Sequence, residues 1–207
     1  MANRTPRYLL GRMLIRLFNI KGFSYSSLKE DNILDWLTGY KEKGTYIDIG
    51  AYDPDRINNT KIFYQRGWRG VNVEPNPEGY KKFLERRPED VNINSAVGVG
   101  EADFYYQGEG SGNTFMKNVA DKRGMGQTRK VQLKPLSEIF KENNLTTVDF
   151  ISMDVEGFEH EVIKSNDWSK YKARVLCLEG WGYPELKKYG YRLAFWDGGN
   201  SYYKLQQ

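Results

Sequence analysis

The sequence predicts an α/β fold: a mostly parallel sheet with helices on both faces that ends in an antiparallel pair. Three observations predict it. From residue 45 onward, short apolar runs alternate with amphipathic helical stretches, the pattern of βαβ units. Four of those runs reach an acid at or near the carboxyl end, at Asp48, Glu74, Asp154 and Glu179. The last two runs flank Asp197-Gly198-Gly199-Asn200, and Asp-Gly between extended segments signals a hairpin.

The totals agree with one such domain. A chain of 207 residues can bury a sizeable core but is too short for two ordinary domains. An apolar share of 39% places it among globular rather than disordered chains. No apolar run approaches the roughly 18 residues of a membrane span. A single cysteine, Cys177, excludes an internal disulfide framework and a cysteine zinc site, so a reducing, cytoplasmic setting is expected. The net charge of +4 is unevenly spread. Residues 1–21 hold Arg4, Arg7, Arg12, Arg16 and Lys21 and no acid, which leaves the rest of the chain nearly neutral. That balance argues against a nucleic-acid surface.

Taken in order, residues 6–20 read as an amphipathic helix, with Leu9, Leu10, Met13, Leu14, Leu17 and Phe18 at helical spacing. Arginines interrupt it and no small-residue cleavage site follows, so it is not read as a signal peptide. Three roles fit it: packing on the domain edge, a homodimer contact, or peripheral contact with a membrane. Residues 27–43 give a second helix. Strands are expected at Thr45–Ile49, Gly70–Val73 and Val91–Val97, with helices at Asn58–Arg66 and Pro77–Arg86 between them. Ala102–Gln107 has the period of an exposed strand. Residues 108–128 hold five glycines and little apolar periodicity, and read as a long loop over the acceptor side. Order resumes with strand Lys130–Leu133, helix Pro135–Asn143, strand Val148–Asp154, a helix near Glu159–Ser165 and strand Arg174–Glu179. A short helix, Pro184–Tyr189, precedes the final strands Arg192–Trp196 and Ser201–Leu205.

Open α/β sheets bind ligands beyond the carboxyl ends of their strands, where strand order reverses. The stretch Thr45–Asp55, TYIDIGAYDPD, ends the first strand at Asp48 and turns at Gly50-Ala51. Gly50 there allows close approach to the backbone. Glu74 tips the next strand, where a carboxylate can accept both hydroxyls of a ribose. The ligand therefore contains a nucleoside. A pyrophosphate needs a glycine-rich turn free of negative charge. This turn lacks G-x-G-x-x-G and carries Asp53 and Asp55, which favours the sulfonium of S-adenosylmethionine over NAD.

The ordered series DIGAYDP, GWRGVNVEPNP, INSAVG, FISMDVEGFEHEVI, VLCLEG and GYRLAFWDGGNSYY resembles the FkbM family of S-adenosylmethionine-dependent methyltransferases, from about residue 45 to 205. The resemblance implies the class I methyltransferase fold, Rossmann-like, with a seven-stranded sheet whose last strand is reversed. It divides the chain into an N-terminal helical extension, 1–44, and a methyltransferase domain, 45–207. It implies that Asp48, Gly50 and Ala51 lie along the methionine part of the cofactor, that Glu74 holds the ribose, and that Pro75 and Asn76 border the adenine. Ser95, Ala96 and Val97 would close the adenine side. Asp154 and Glu156 would face the transferred methyl group and the acceptor. The Asp53-Pro54 pair departs from the family, where a glycine is common.

Asp154 and Glu156 stand two apart at a strand end and can point to one side. One could act as a base, or the pair could orient a sugar hydroxyl or hold a divalent cation, which nothing else in the sequence indicates. His160, the only histidine, is either a second base or a helix-surface residue. Glu179 is expected to contact the acceptor. Trp181 and Tyr183 could stack on a sugar, whereas Cys177, Trp68 and Trp168 read as packing. The expected activity is methylation of a sugar hydroxyl in a glycan, glycolipid or glycosylated natural product. The alternatives are a non-catalytic nucleoside-binding or membrane-associated scaffold, and an NAD-dependent oxidoreductase.

Overall fold

A computed structural model of the chain describes residues 6–18, 20, 22–107 and 112–206, apart from the side chains of Arg7 and Tyr8. Its main sheet has seven strands: β1 (Thr45–Ile49), β2 (Arg69–Val73), β3 (Val91–Ile93), β7 (Thr147–Met153), β8 (Lys172–Glu179), β9 (Tyr191–Trp196) and β10 (Asn200–Leu205). Their order is β3-β2-β1-β7-β8-β10-β9. All neighbours run parallel except β10, which is antiparallel to both β8 and β9. The order reverses at β1, between β2 and β7, and this makes the carboxyl end of β1 the switch point.

Both faces of the sheet are covered, so the central strands are apolar almost throughout. The two-residue period sorts them. Ile47, Ile49, Ile151, Met153, Leu176 and Leu178 pack on one side. Tyr46, Phe150, Val175 and Cys177 pack on the other, with Phe63, Trp68, Ile33 and Leu34. Trp68 and Trp168 are both buried, as is Cys177. Helices α1 (Pro6–Leu17) and α2 (Glu30–Leu37) send Ile15, Ile33, Leu34 and Leu37 into the second cluster.

Several elements depart from the sequence expectation for local reasons. Helix α2 starts at Glu30 and stops at Leu37, because Lys29 and Tyr40 sit in the left-handed region with φ 71° and 55°. Helix α3 is only Lys61–Gln65, since the Asn58 side chain accepts from Thr60 N and holds 58–60 as a turn. Helix α4 (Pro77–Arg86) matches its expected span, opened by Asn76, whose side chain accepts from Glu78 N.

The expected strand Val91–Val97 is two strands in two sheets. Asn94 breaks it by donating to the carbonyls of Glu74 and Pro75. β4 (Ala96–Val97) then joins β5 (Glu101–Tyr106) and β6 (Gln127–Lys134) in a second sheet of order β4-β6-β5. The long loop expected over 108–128 is also shorter. It contains helix α5 (Lys117–Arg123) and the start of β6, while 108–111 lie outside the described residues. Only Ala120 of α5 is buried, too little apolar signal to show a period. Helices α6 (Leu136–Glu142) and α7 (Glu159–Lys164) and a 3-10 turn at Pro184–Tyr189 complete the chain.

Candidate active site

The carboxyl ends of β1, β2 and β7 open into a cavity of about 990 Å³, its open mouth included. Asp48, Gly50, Ala51, Glu74, Pro75, Ser95, Ala96, Asp154 and Glu156 all line it. Its outer wall comes from the second sheet and the segment leading to α5, through Phe104, Gly112, Asn113 and Phe115. Phe115 bridges Phe104 and Phe158, with ring centroids 5.0 Å from each.

Gly50 ends β1 with φ 76°, and a Cβ there would stand 2.0 Å from the carbonyl oxygen of Asp154. The glycine serves close approach of two strand ends, and it also lines the cavity, where the sequence suggested close approach of ligand to backbone. Two bonds fix the turn: Gly50 N donates to Val73 O at 2.9 Å and Asp154 N to Ile49 O at 3.0 Å.

Beneath the turn lies a buried polar network. Asp48 accepts from Thr60 Oγ1 at 2.9 Å and from Ser152. Burial outweighs these bonds and pushes its carboxyl up to about 6. Arg87, also buried, donates to Thr60 Oγ1 (2.7 Å), Asn58 Oδ1 (2.8 Å) and the Pro54 carbonyl (2.6 Å). Asn58 Nδ2 donates to Asp53 O at 3.0 Å. Pro54, the departure from the family pattern, is thus a fixed point of the loop. Asp53 turns away from the cavity. It accepts from Asp55 N and Arg56 N and pairs with Lys82, while Asp55 pairs with Lys61 and Arg86. Repulsion of phosphate by these two acids is therefore largely neutralised. The acids that line the ligand space are Glu30, Asp48, Glu74, Asp154 and Glu156.

Glu74 is buried, with one oxygen accepting from Tyr52 N and the other from Asn76 N, each at 2.7 Å. Each oxygen keeps a further lone pair. Burial, more than any neighbour, raises its carboxyl to about 7. Beside it Val73, Ala96, Val97 and Phe104 supply an apolar wall.

At the other end Asp154, Glu156 and Glu179 bring carboxylate oxygens within 4.8 Å of one another. Asp154 is open on the cavity side and walled by protein elsewhere. That enclosure, then the charges of Glu179 and Glu156, raise it well above the usual range, and it shares a hydrogen bond with Glu179. Glu179 rises to about 7, through burial first and the charge of Glu156 second. Glu156 has φ 54°, rare for a non-glycine residue, and its carbonyl accepts from Thr114 Oγ1 at 2.9 Å. Arg123 of α5 donates to Glu156 Oε2 at 2.8 Å and to Gly112 O at 2.6 Å. One guanidinium thus fastens the outer wall to the acid cluster.

Glu179 and the remaining expected site residues are not part of the cavity lining. Asn76 caps α4 behind Glu74. His160 is exposed on α7, hydrogen-bonded to Glu185 and 5.0 Å from the Tyr183 ring. Trp181 is exposed and stands edge-on to Trp196 at 5.3 Å. Tyr183 is buried and donates to the Glu179 carbonyl. Sequence reasoning missed Arg87, Asn58, Thr60, Ser152 and Arg123. Asn58 had a signal, since Asn58-Asn59-Thr60 fits a glycosylation pattern, but burial gives it a structural use instead.

A seven-stranded sheet with only its last strand reversed, and a cavity at the switch point lined by strand-end acids, define a class I methyltransferase fold. The fold is similar to that of the METTL16 methyltransferase domain, at TM-score 0.50 and 15% identity, over 100% of this chain and 83% of that one. Weaker likenesses link it to a methyltransferase from Geobacter sulfurreducens (TM-score 0.42, 11% identity, 100% of this chain and 91% of that one). An O-methyltransferase from Bacillus cereus solved with SAH is similar at TM-score 0.39 and 10% identity, over 98% and 90%. No curated protein matches the chain significantly. The model of the Methyltransferase FkbM domain matches residues 48–193, and the chain belongs to that family.

Proposed function

We propose that this methyltransferase uses S-adenosylmethionine to methylate a hydroxyl oxygen of a sugar, carried by a glycan, a glycolipid or a glycosylated natural product. One observation carries the reading: a single cavity is lined by Glu74 and by Asp154 and Glu156, and Glu179 lies within 4.8 Å of the latter two, carboxylate oxygen to carboxylate oxygen. The residues fit the cofactor. Glu74 has lone pairs for a ribose diol, and the apolar wall at Val73, Ala96 and Val97 suits an adenine ring. Asp48 and Asp154 flank the turn at Gly50, where a cationic methionine moiety is favoured over a phosphate.

When bound, the cofactor supplies an electrophilic methyl group whose leaving group needs no acid. The protein then has to align the acceptor and take one proton. Glu179, with a carboxyl near 7 and hydrogen-bonded to Asp154, suits that task at neutral pH. In this reading Asp154 passes the acceptor's proton toward Glu179, and Glu156, oriented by Arg123, holds a neighbouring hydroxyl. The acceptor end offers carboxylates, which accept hydrogen bonds from hydroxyls, and an engaged guanidinium, a set suited to polyols. His160 has no contact with this cavity among the described residues, so its role as a base would require the acceptor to reach it.

The test is isotopic methyl transfer from S-adenosylmethionine to glycan and lipid extracts, read by mass spectrometry. Asp154→Asn is expected to lower turnover at least about 100-fold with cofactor affinity within about threefold. Full activity of that variant would misplace the chemistry. Label on nitrogen rather than oxygen would overturn the acceptor class.

A further inference from the structure

Helix α1 has two apolar faces, and only one of them is used by the fold. The docked face is clear. A Cβ at Gly11 would lie 1.8 Å from the carbonyl oxygen of Asp197, so the helix sits directly on the β9–β10 turn. Ile15 is buried, and Phe18 lies 5.4 Å from Trp36 and 5.6 Å from Phe195 between ring centroids. The opposite face carries Leu9, Met13 and Leu17 at four-residue spacing, with Leu10 beside them. Their exposures are 54%, 58%, 71% and 47%. A helix that only packs on a domain edge turns polar residues outward. Here Arg12 and Arg16 flank the outward stripe instead, and the segment 1–21 has no acid at all.

We propose that α1 is a surface anchor that seats the protein on an anionic lipid bilayer. The charge pattern selects this occupant. In a symmetric dimer the same patch meets itself, which would press Arg12 and Arg16 against their own copies. A bilayer with anionic headgroups complements them, while the apolar stripe enters the headgroup–acyl boundary and the arginine stems lie along it. Among the described residues no helix is long and apolar enough to cross a membrane, so the contact is peripheral.

The anchor is connected to the cavity. The chain leaving α1 exposes Phe23 at 73% and then lines the cavity with Ser27 and Glu30. Glu30 accepts from Asn200 Nδ2 at 3.2 Å, and Asn200 N donates to Asp197 Oδ1 at 2.6 Å. Asp197 is the residue on which Gly11 rests. A seated α1 therefore places the lipid surface beside the α2 wall of the cavity. The proposal concerns binding and stands independently of the acceptor.

Flotation of the full chain with vesicles tests it, using phosphatidylcholine alone and phosphatidylcholine with one third phosphatidylglycerol. The wild type is expected to float with the anionic vesicles and to bind the neutral ones at least about tenfold less, with binding weakened by salt. The variant Leu9→Ser/Met13→Ser/Leu17→Ser changes only the outward face, so it should lose flotation while its melting temperature holds. Equal flotation of wild type and variant would overturn the proposal, as would no flotation with either vesicle. Light scattering runs alongside. A dimer that the triple variant makes monomeric, without vesicle binding, would assign the face to a second copy instead.

Discussion

Arg87 never touches the cavity, yet its three hydrogen bonds decide where the cavity's turn stands. Its guanidinium holds Pro54 O, Asn58 Oδ1 and Thr60 Oγ1 at once, and Thr60 in turn holds Asp48. Arg87→Met keeps most of the volume but leaves buried acceptors without a donor. The expected cost is about 3 kcal/mol, or a fall of roughly 6–12 °C in melting temperature. Thermal denaturation checks this, and a fall below about 2 °C would show that the network is not needed. Such residues were hard to read in the sequence. Strand-end acids stand out because each follows an apolar run, whereas a lone arginine at a helix end looks like a solvated charge. The acids show the opposite limit. Asp53 and Asp55 were legible as acids, but not as acids already paired with Lys82, Lys61 and Arg86.

At the scale of elements, the parallel strands were legible and the second sheet was not. β1, β2, β7 and β8 are buried on both faces and read as apolar runs bounded by turns. β4 has two residues and β6 alternates weakly, so pairing between them rests on contacts far apart in sequence. That small sheet carries the outer wall, and α5 is tied to the acids by Arg123. Arg123→Gln should release both Gly112 O and Glu156 Oε2 while leaving the Glu74 end intact. The expectation is an acceptor KM raised about tenfold with cofactor affinity unchanged, measured by steady-state kinetics alongside calorimetry. Equal loss of both affinities would mean that the wall supports the whole cavity rather than its acceptor end.

At the scale of the whole molecule, buried acids set how stability depends on pH. Burial raises Glu30 and Glu74 from 4.5 to about 7. Between those values the folded chain binds more protons than the unfolded chain, so stability falls as pH rises through this window. The melting temperature should be higher at about pH 5.5 than at about pH 8, and Glu30→Gln should flatten part of the slope. A melting temperature that rises between those two pH values would contradict the burial of these carboxyls.

If the switch-point cavity binds S-adenosylmethionine as proposed, Glu74 holds its ribose. Calorimetric titration of S-adenosylhomocysteine into the wild type and into Glu74→Ala tests it most directly, with NADH as the comparison ligand. Binding to the wild type, a loss of at least about tenfold in the variant, and no heat from NADH are expected. Binding of NADH without S-adenosylhomocysteine, or an unchanged affinity in Glu74→Ala, would contradict it.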